Sequence, residues 1–181
     1  MEEKRQIAII GFKSSGKSTV GHFLAEKLRR PFHDTDEILE NIYERKEGKR
    51  LSFREIYVRH GRGYFESLEE EAIKEAFTGE GKVISFGGGS ITTADARGLK
   101  LDNAIFIYLT ASPDVLFNRI IANGIPAFFT TEDPRSSFDS LLEKRRPIYE
   151  KYANITVDSS YYSPEDTVEI VLKELKEKGV Q

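Results

Sequence analysis

Eight residues near the start of the chain, Gly11-Phe12-Lys13-Ser14-Ser15-Gly16-Lys17-Ser18, meet every position of the pattern G-x-x-x-x-G-K-[ST]. The chemistry of that spacing is phosphate binding. Its glycines let the backbone curl until successive N–H groups and the start of the next helix face one anion. Gly11, Ser14, Ser15, Gly16 and Thr19 form the candidate cradle. Lys17 is placed to reach β- and γ-phosphates, and the Ser18 hydroxyl to ligate Mg²⁺. A plain Gly/Ser turn with a solvated lysine would need neither a strand before it nor a helix after it. Here Ile7-Ala8-Ile9-Ile10 reads as a buried strand, and Val20, Phe23, Leu24 and Leu28 recur at helical spacing. The expectation is a protein that uses a nucleoside triphosphate.

A second group lies at Phe32-His33-Asp34-Thr35-Asp36, where a second strand should end. Ligands of doubly wound sheets sit at the carboxyl ends of the strands, beside the loop after the first strand. Two carboxylates there suit two tasks. One holds a metal-bound water, and the other accepts a hydrogen bond from a substrate hydroxyl. Asp34 with Glu37 also has the spacing of a helix capping box, which competes with or accompanies the chemical role. Gly87-Gly88-Gly89 follows the apolar Val83-Ile84 and offers bare backbone to a ligand.

These groups must be held by a scaffold, and the rest of the chain supplies one. Strand-like runs at 6–10, 31–33, 82–86, 104–109 and 154–157 alternate with amphipathic runs at 17–29, 35–46, 52–60, 63–78, 113–122, 136–150 and 164–178. That alternation predicts a parallel sheet with helices on both faces, in one domain over residues 1–181. The stretch 122–137 has no clear period and reads as a lid. With 31% charged residues, net charge −3 and no cysteine, disulfides, thiolate metal sites and cysteine nucleophiles are excluded. The charge leaves no footprint for nucleic acid. No apolar stretch is long enough to span a bilayer, and Met1–Arg5 lacks the apolar core of a signal peptide. A cytoplasmic protein is expected. His22, His33 and His60 show no ligand spacing and read as structural; Phe128-Phe129 and Tyr161-Tyr162 read as packing or lid-closure residues.

The chain resembles the shikimate kinase family over almost its whole length. The matching residues are Gly11–Gly21, Phe32–Asp36, the G-x-x-x-F spacing of Gly61 and Phe65, Gly87–Gly89, Arg119, Arg145-Arg146-Pro147-Ile148-Tyr149, and Asp158 with Ser163-Pro164-Glu165. The resemblance implies a five-stranded parallel sheet of the nucleoside-monophosphate-kinase type, with a mobile lid. It implies transfer of the ATP γ-phosphate to a ring hydroxyl of shikimate by a protein expected to be monomeric. Under it Lys17 and Ser18 hold phosphate and Mg²⁺, and Asp34 supports the metal through water. Asp36 binds the acceptor hydroxyls and assists deprotonation, and Gly87 to Gly89 line the acceptor pocket. Arg119 packs on adenine, and Arg145 pairs with the acceptor carboxylate.

Two positions depart from the family pattern. The arginine that follows the G-x-x-x-F phenylalanine in the family is Glu66 here, and the lid arginine is Ile125. Like charges about 4 Å apart at an effective dielectric of about 20 repel by roughly 4 kcal/mol, on the order of a thousandfold in affinity. Arg59, Arg62 and Arg135 are the candidates to compensate, with Arg135 as the lid's phosphate-side arginine. Three functions follow: a kinase for shikimate, a kinase for another neutral or aminated polyol or cyclitol, and a nucleotide-binding protein without transfer activity. Retention of Lys17, Ser18, Asp34 and Asp36 argues against the last.

Overall fold

The computed structural model describes residues 4–180. In chain order the elements are β1 (Gln6–Ile10), α1 (Lys17–Leu28), β2 (Phe32–Asp34), α2 (Thr35–Glu47), α3 (Phe53–Ala76) and β3 (Val83–Ser85). There follow α4 (Ser90–Ala96), β4 (Ala104–Thr110), α5 (Pro113–Ala122), α6 (Pro134–Tyr152), β5 (Ile155–Asp158) and α7 (Pro164–Glu177). The strands form one sheet in the order β2-β3-β1-β4-β5, and every pairing is parallel.

β1 lies in the centre, with β3 on one side and β4 on the other. All five of its residues are buried, as a strand covered by helices on both faces requires. Side chains alternate between those faces. Ile7 and Ile9 join Val20, Leu24, Val168 and Val171 under α1 and α7. Ala8 and Ile10 join Ile38, Ile73, Phe86 and Tyr149 on the opposite face. The sheet order sends the loop after β1 and the ends of β2 and β3 to one edge, where Asp34 stands level with Ser85.

Three local features differ from the sequence expectation. The helices expected at 52–60 and 63–78 form one run, α3, broken at Gly61, whose φ of 77° and ψ of 179° are not helical. Glycine accepts that conformation at little cost, while a β-carbon would strain it. The break leaves Arg54 and Tyr57 on one arm, and Phe65, Glu66 and Glu69 on the other, all bordering one cavity. The second difference is α4, which no periodicity announces. Its Ser90 and Thr93 hydroxyls donate to Glu69 on α3 at 2.9 and 2.7 Å, so a tertiary contact supports a weak helix former. Third, the aperiodic stretch narrows to 123–133, because α5 runs to Ala122 and α6 already begins at Pro134. Phe129 anchors that loop by burial beside Phe138, and Thr130 is tied to Ser137.

Candidate active site

The phosphate loop owes its shape to alternating backbone conformations. Ser14 (φ 64°) and Gly16 (φ 95°) are left-handed, an arrangement that turns successive N–H groups toward one concavity. α1 has no side-chain cap, and its first bond runs from Val20 N–H to the Gly16 carbonyl at 2.9 Å. The N–H groups of its first turn are therefore available to an anion. Ser15 behaves otherwise. Its N–H donates back to the Phe12 carbonyl at 3.2 Å, and its hydroxyl is buried without a hydrogen-bond partner.

The loop forms one wall of a cavity of about 750 Å³. Lys17 is buried and donates to the Phe12 carbonyl at 2.8 Å. Burial lowers its pKa to about 8, while the charges of Asp36 and then Asp34 hold it up. Asp36 faces the same cavity. Burial first, then Asp34 and Glu69, raise its carboxyl to about 7, against the opposing charges of Lys17 and Lys13. Each charge sits where solvation is poor, and each is the other's principal electrostatic relief.

Asp34 ends β2 and caps α2 at once. Its Oδ1 accepts the Asp36 N–H at 2.9 Å, so the cap closes one residue earlier than a capping box would, and Glu37 stays exposed. Asp34 Oδ2 accepts the Ser18 hydroxyl at 2.7 Å, and the Ser18 and Ser85 hydroxyls lie 3.3 Å apart. Among the described residues no cluster of three or more acidic, His or Cys side chains could hold a metal alone. A carboxylate and a hydroxyl beside a phosphate loop fit instead a Mg²⁺ that takes its remaining ligands from phosphate and water.

The three glycines are explained by what approaches them. A β-carbon on Gly87 would clash with Asp36 Oδ1 and stand 2.7 Å from Ser90 Oγ; on Gly89 it would stand 3.0 Å from the Arg145 guanidinium. The Gly87 N–H is already donated to Thr35 Oγ1 at 2.8 Å. The Gly88 carbonyl accepts from Arg145 at 3.2 Å and from the buried Tyr149 hydroxyl at 2.6 Å. The run thus makes room for Asp36 and Arg145, and its Gly88 carbonyl holds Arg145.

Glu66 does line the cavity, but Arg62 donates to it at 2.6 Å from one helical turn earlier. Arg62 is therefore no surplus cation, and Arg59 lies before the Gly61 break, away from the cavity lining. Arg135 is not brought to the site. It is ion-paired to Asp114 and Asp139 at 2.8 and 2.9 Å and lies over the rings of Phe117 and Phe138. Arg119 on α5 and Ile125 are likewise outside the cavity lining, whereas Pro126, Ala127 and Phe128 of the lid border it. Six basic side chains against four carboxylates surround the space, a balance that favours anionic ligands.

Residues that spacing alone did not single out include Glu69, Tyr149, Arg54 and the Lys13 side chain. Glu69 is buried, and burial raises its pKa against its hydrogen bonds from Thr93 and Ser90. A glutamate on a helix face otherwise filled by Leu68, Ala72 and Ile73 was the available signal.

A family model described as shikimate kinase matches residues 13–176. A shikimate kinase of Thermodesulfovibrio yellowstonii is 35% identical over 171 residues, covering 94% of each chain. Among solved structures, shikimate kinase from Acinetobacter baumannii in complex with shikimate superposes with a TM-score of 0.85 at 26% identity, over 98% of this chain and 96% of that one. Shikimate kinase from Aquifex aeolicus gives 0.75 at 32% identity, over 96% and 98%. The match over most of the chain and the relatives at this identity show that this chain belongs to the shikimate kinase family.

Proposed function

We propose that this protein transfers the γ-phosphoryl group of ATP to a ring hydroxyl of shikimate. The observation that carries the reading is the juxtaposition of Lys17 and Asp36 in one cavity between the phosphate loop and Gly87–Gly89. Lys17 leaves the Phe12 carbonyl for the β- and γ-phosphates, where the anion restores the charge that burial weakens. First-turn N–H groups of α1 hold the same phosphates. Ser18 and Asp34 are the residues that hold Mg²⁺, which when bound neutralises charge on the phosphate oxygens.

Asp36 accepts a hydrogen bond from the acceptor hydroxyl. As that oxygen bonds to the γ-phosphorus, the bond from phosphorus to the β–γ bridging oxygen breaks. The hydroxyl proton passes to the Asp36 carboxylate, and ADP carries away the released electron pair. A carboxyl with a pKa near 7 is well matched to this task at neutral pH. Arg145 pairs with the acceptor carboxylate. The Arg62–Glu66 pair removes the repulsion that an unpaired Glu66 would impose.

A coupled ATP-consumption assay with shikimate, quinate, an aminated analogue and a neutral cyclitol tests this, with the product identified by ³¹P NMR. Shikimate turnover at roughly 1–100 s⁻¹ is the expected result. Turnover of the aminated or neutral ring in preference to shikimate overturns it.

A further inference from the structure

The established pattern of the acceptor pocket leaves a charge to be accounted for. Glu66 occupies a wall of the cavity and Arg62 is spent neutralising it. Together they add no net positive charge to the site. An acid in the cavity then has Arg145, on α6, as one partner. Whether this chain supplies another is answered on a different wall.

Lys13 is the third residue of the phosphate loop, in a position the phosphate-binding pattern leaves open. Its backbone abuts the glycine run, since a β-carbon on Gly88 would stand 3.1 Å from the Lys13 nitrogen. Its half-buried side chain lines the cavity, with Nζ 5.8 Å from the centroid of the Phe53 ring. The Arg54 guanidinium, on the first turn of α3, lies 5.9 Å from the same centroid and also borders the cavity. Among the described residues neither cation forms an ion pair with a carboxylate.

Two like charges gathered at one ring, one of them partly desolvated, cost free energy in the free protein. Burial and then the charge of Arg54 lower the pKa of Lys13, against a smaller opposing effect of Asp36. A bound anion would offset both terms.

We infer that Lys13 and Arg54 form a second carboxylate seat for the acceptor, with Lys13 as a specificity-determining residue that discriminates ring acids from neutral rings. The inference rests on the proposal that the acceptor is a ring acid. It differs in position from the arginine that Glu66 replaces: the cation has moved from the second arm of α3 to the phosphate loop and the first arm of α3.

The test compares wild type, Lys13→Met, Lys13→Arg and Arg54→Met in steady-state kinetics with shikimate and with its primary carboxamide. ATP affinity is measured separately by calorimetry. Wild type is expected to prefer the acid. Lys13→Met should raise KM for shikimate about 10- to 100-fold, as loss of a hydrogen bond to a charged group does. Its KM for the carboxamide, its kcat and its ATP affinity should change less than about threefold, and Lys13→Arg should restore most of the loss. The more exposed Arg54 should give the same pattern with a smaller change. If Lys13→Met leaves the acid-over-amide preference of wild type intact, or weakens ATP binding as much as acid binding, the seat is overturned alone. If wild type itself shows no preference for the acid, the acceptor reading falls with it.

Discussion

The donor side of the cavity draws its groups from one run of eight residues and the aspartate that follows, whereas the acceptor side draws on four separated segments. On the donor side, Ser14, Gly16 and the uncapped start of α1 shape the anion site through backbone geometry. On the acceptor side, Asp36 comes from α2, Arg54 and Glu66 from the two arms of α3, Gly87–Gly89 from the end of β3, and Arg145 from α6. The difference teaches where substitution can be absorbed. A loop whose function is its backbone path has no alternative donor nearby. A pocket assembled from many side chains can neutralise one intruding carboxylate with an arginine one turn away, as Arg62 does for Glu66.

The sharpest break of the donor side is Lys17→Ala. Turnover should fall by about a thousandfold, the upper range for loss of one preorganised electrostatic partner, while circular dichroism remains that of the wild type. Turnover within tenfold of wild type would remove the phosphate loop from the mechanism.

Asp36 joins the two sides, and its effect should be next in size. Asp36→Asn should lower turnover about 100-fold and abolish the acidic limb of the kcat/KM profile for shikimate, which in wild type should bend near pH 7. Its stability should move the other way. Because the folded-state pKa, about 7, lies above the reference 3.8, the folded chain holds a proton that the unfolded chain releases. That contribution is complete below about pH 4 and is lost as pH rises through about 7. At pH 8 the ionised carboxylate is a burden on the fold, so thermal denaturation should show the variant at least as stable as wild type. A Tm lowered by more than about 5 °C at pH 8 would show that Asp36 is instead a structural partner of Lys17.

The smallest effect is expected at Glu66. Its pair with Arg62 is a surface one, Arg62 being 81% exposed, and such pairs contribute roughly 0.3–0.5 kcal/mol. Glu66→Gln should lower KM for shikimate by at most about threefold in initial-rate measurements, by freeing Arg62. A tenfold change in either direction would mean that Glu66 meets the acceptor directly, and that the acceptor side is less tolerant than the comparison holds.

The fold was legible because its signals are local. Ile7–Ile10 is too short and too apolar for anything but a buried strand, and the caps at Ser52, Ser112 and Ser163 start helices where the sequence expects them. α4 was hidden because Ser90-Ile91-Thr92-Thr93 has poor helix propensity, and its support comes from Glu69, 21 residues away. Arg135 looked like a lid cation by its place after the aperiodic stretch. The start of α6 at Pro134 turns it instead toward Asp139, one turn on, and Asp114 on α5.

Residue identity and spacing alone determined the phosphate loop, the paired aspartates, the parallel sheet and the family, because each depends on neighbours within a few positions or on a period of the chain. Tertiary structure decided how the charges around the acceptor cancel. Glu66 is an obstacle when read beside Phe65 and an internal partner when read beside Arg62; Lys13 is an unassigned loop residue until the chain brings Phe53 and Arg54 to it. Charge interactions fall off with distance through space and not along the sequence, so the sign of a pocket is settled only when the segments that line it have met.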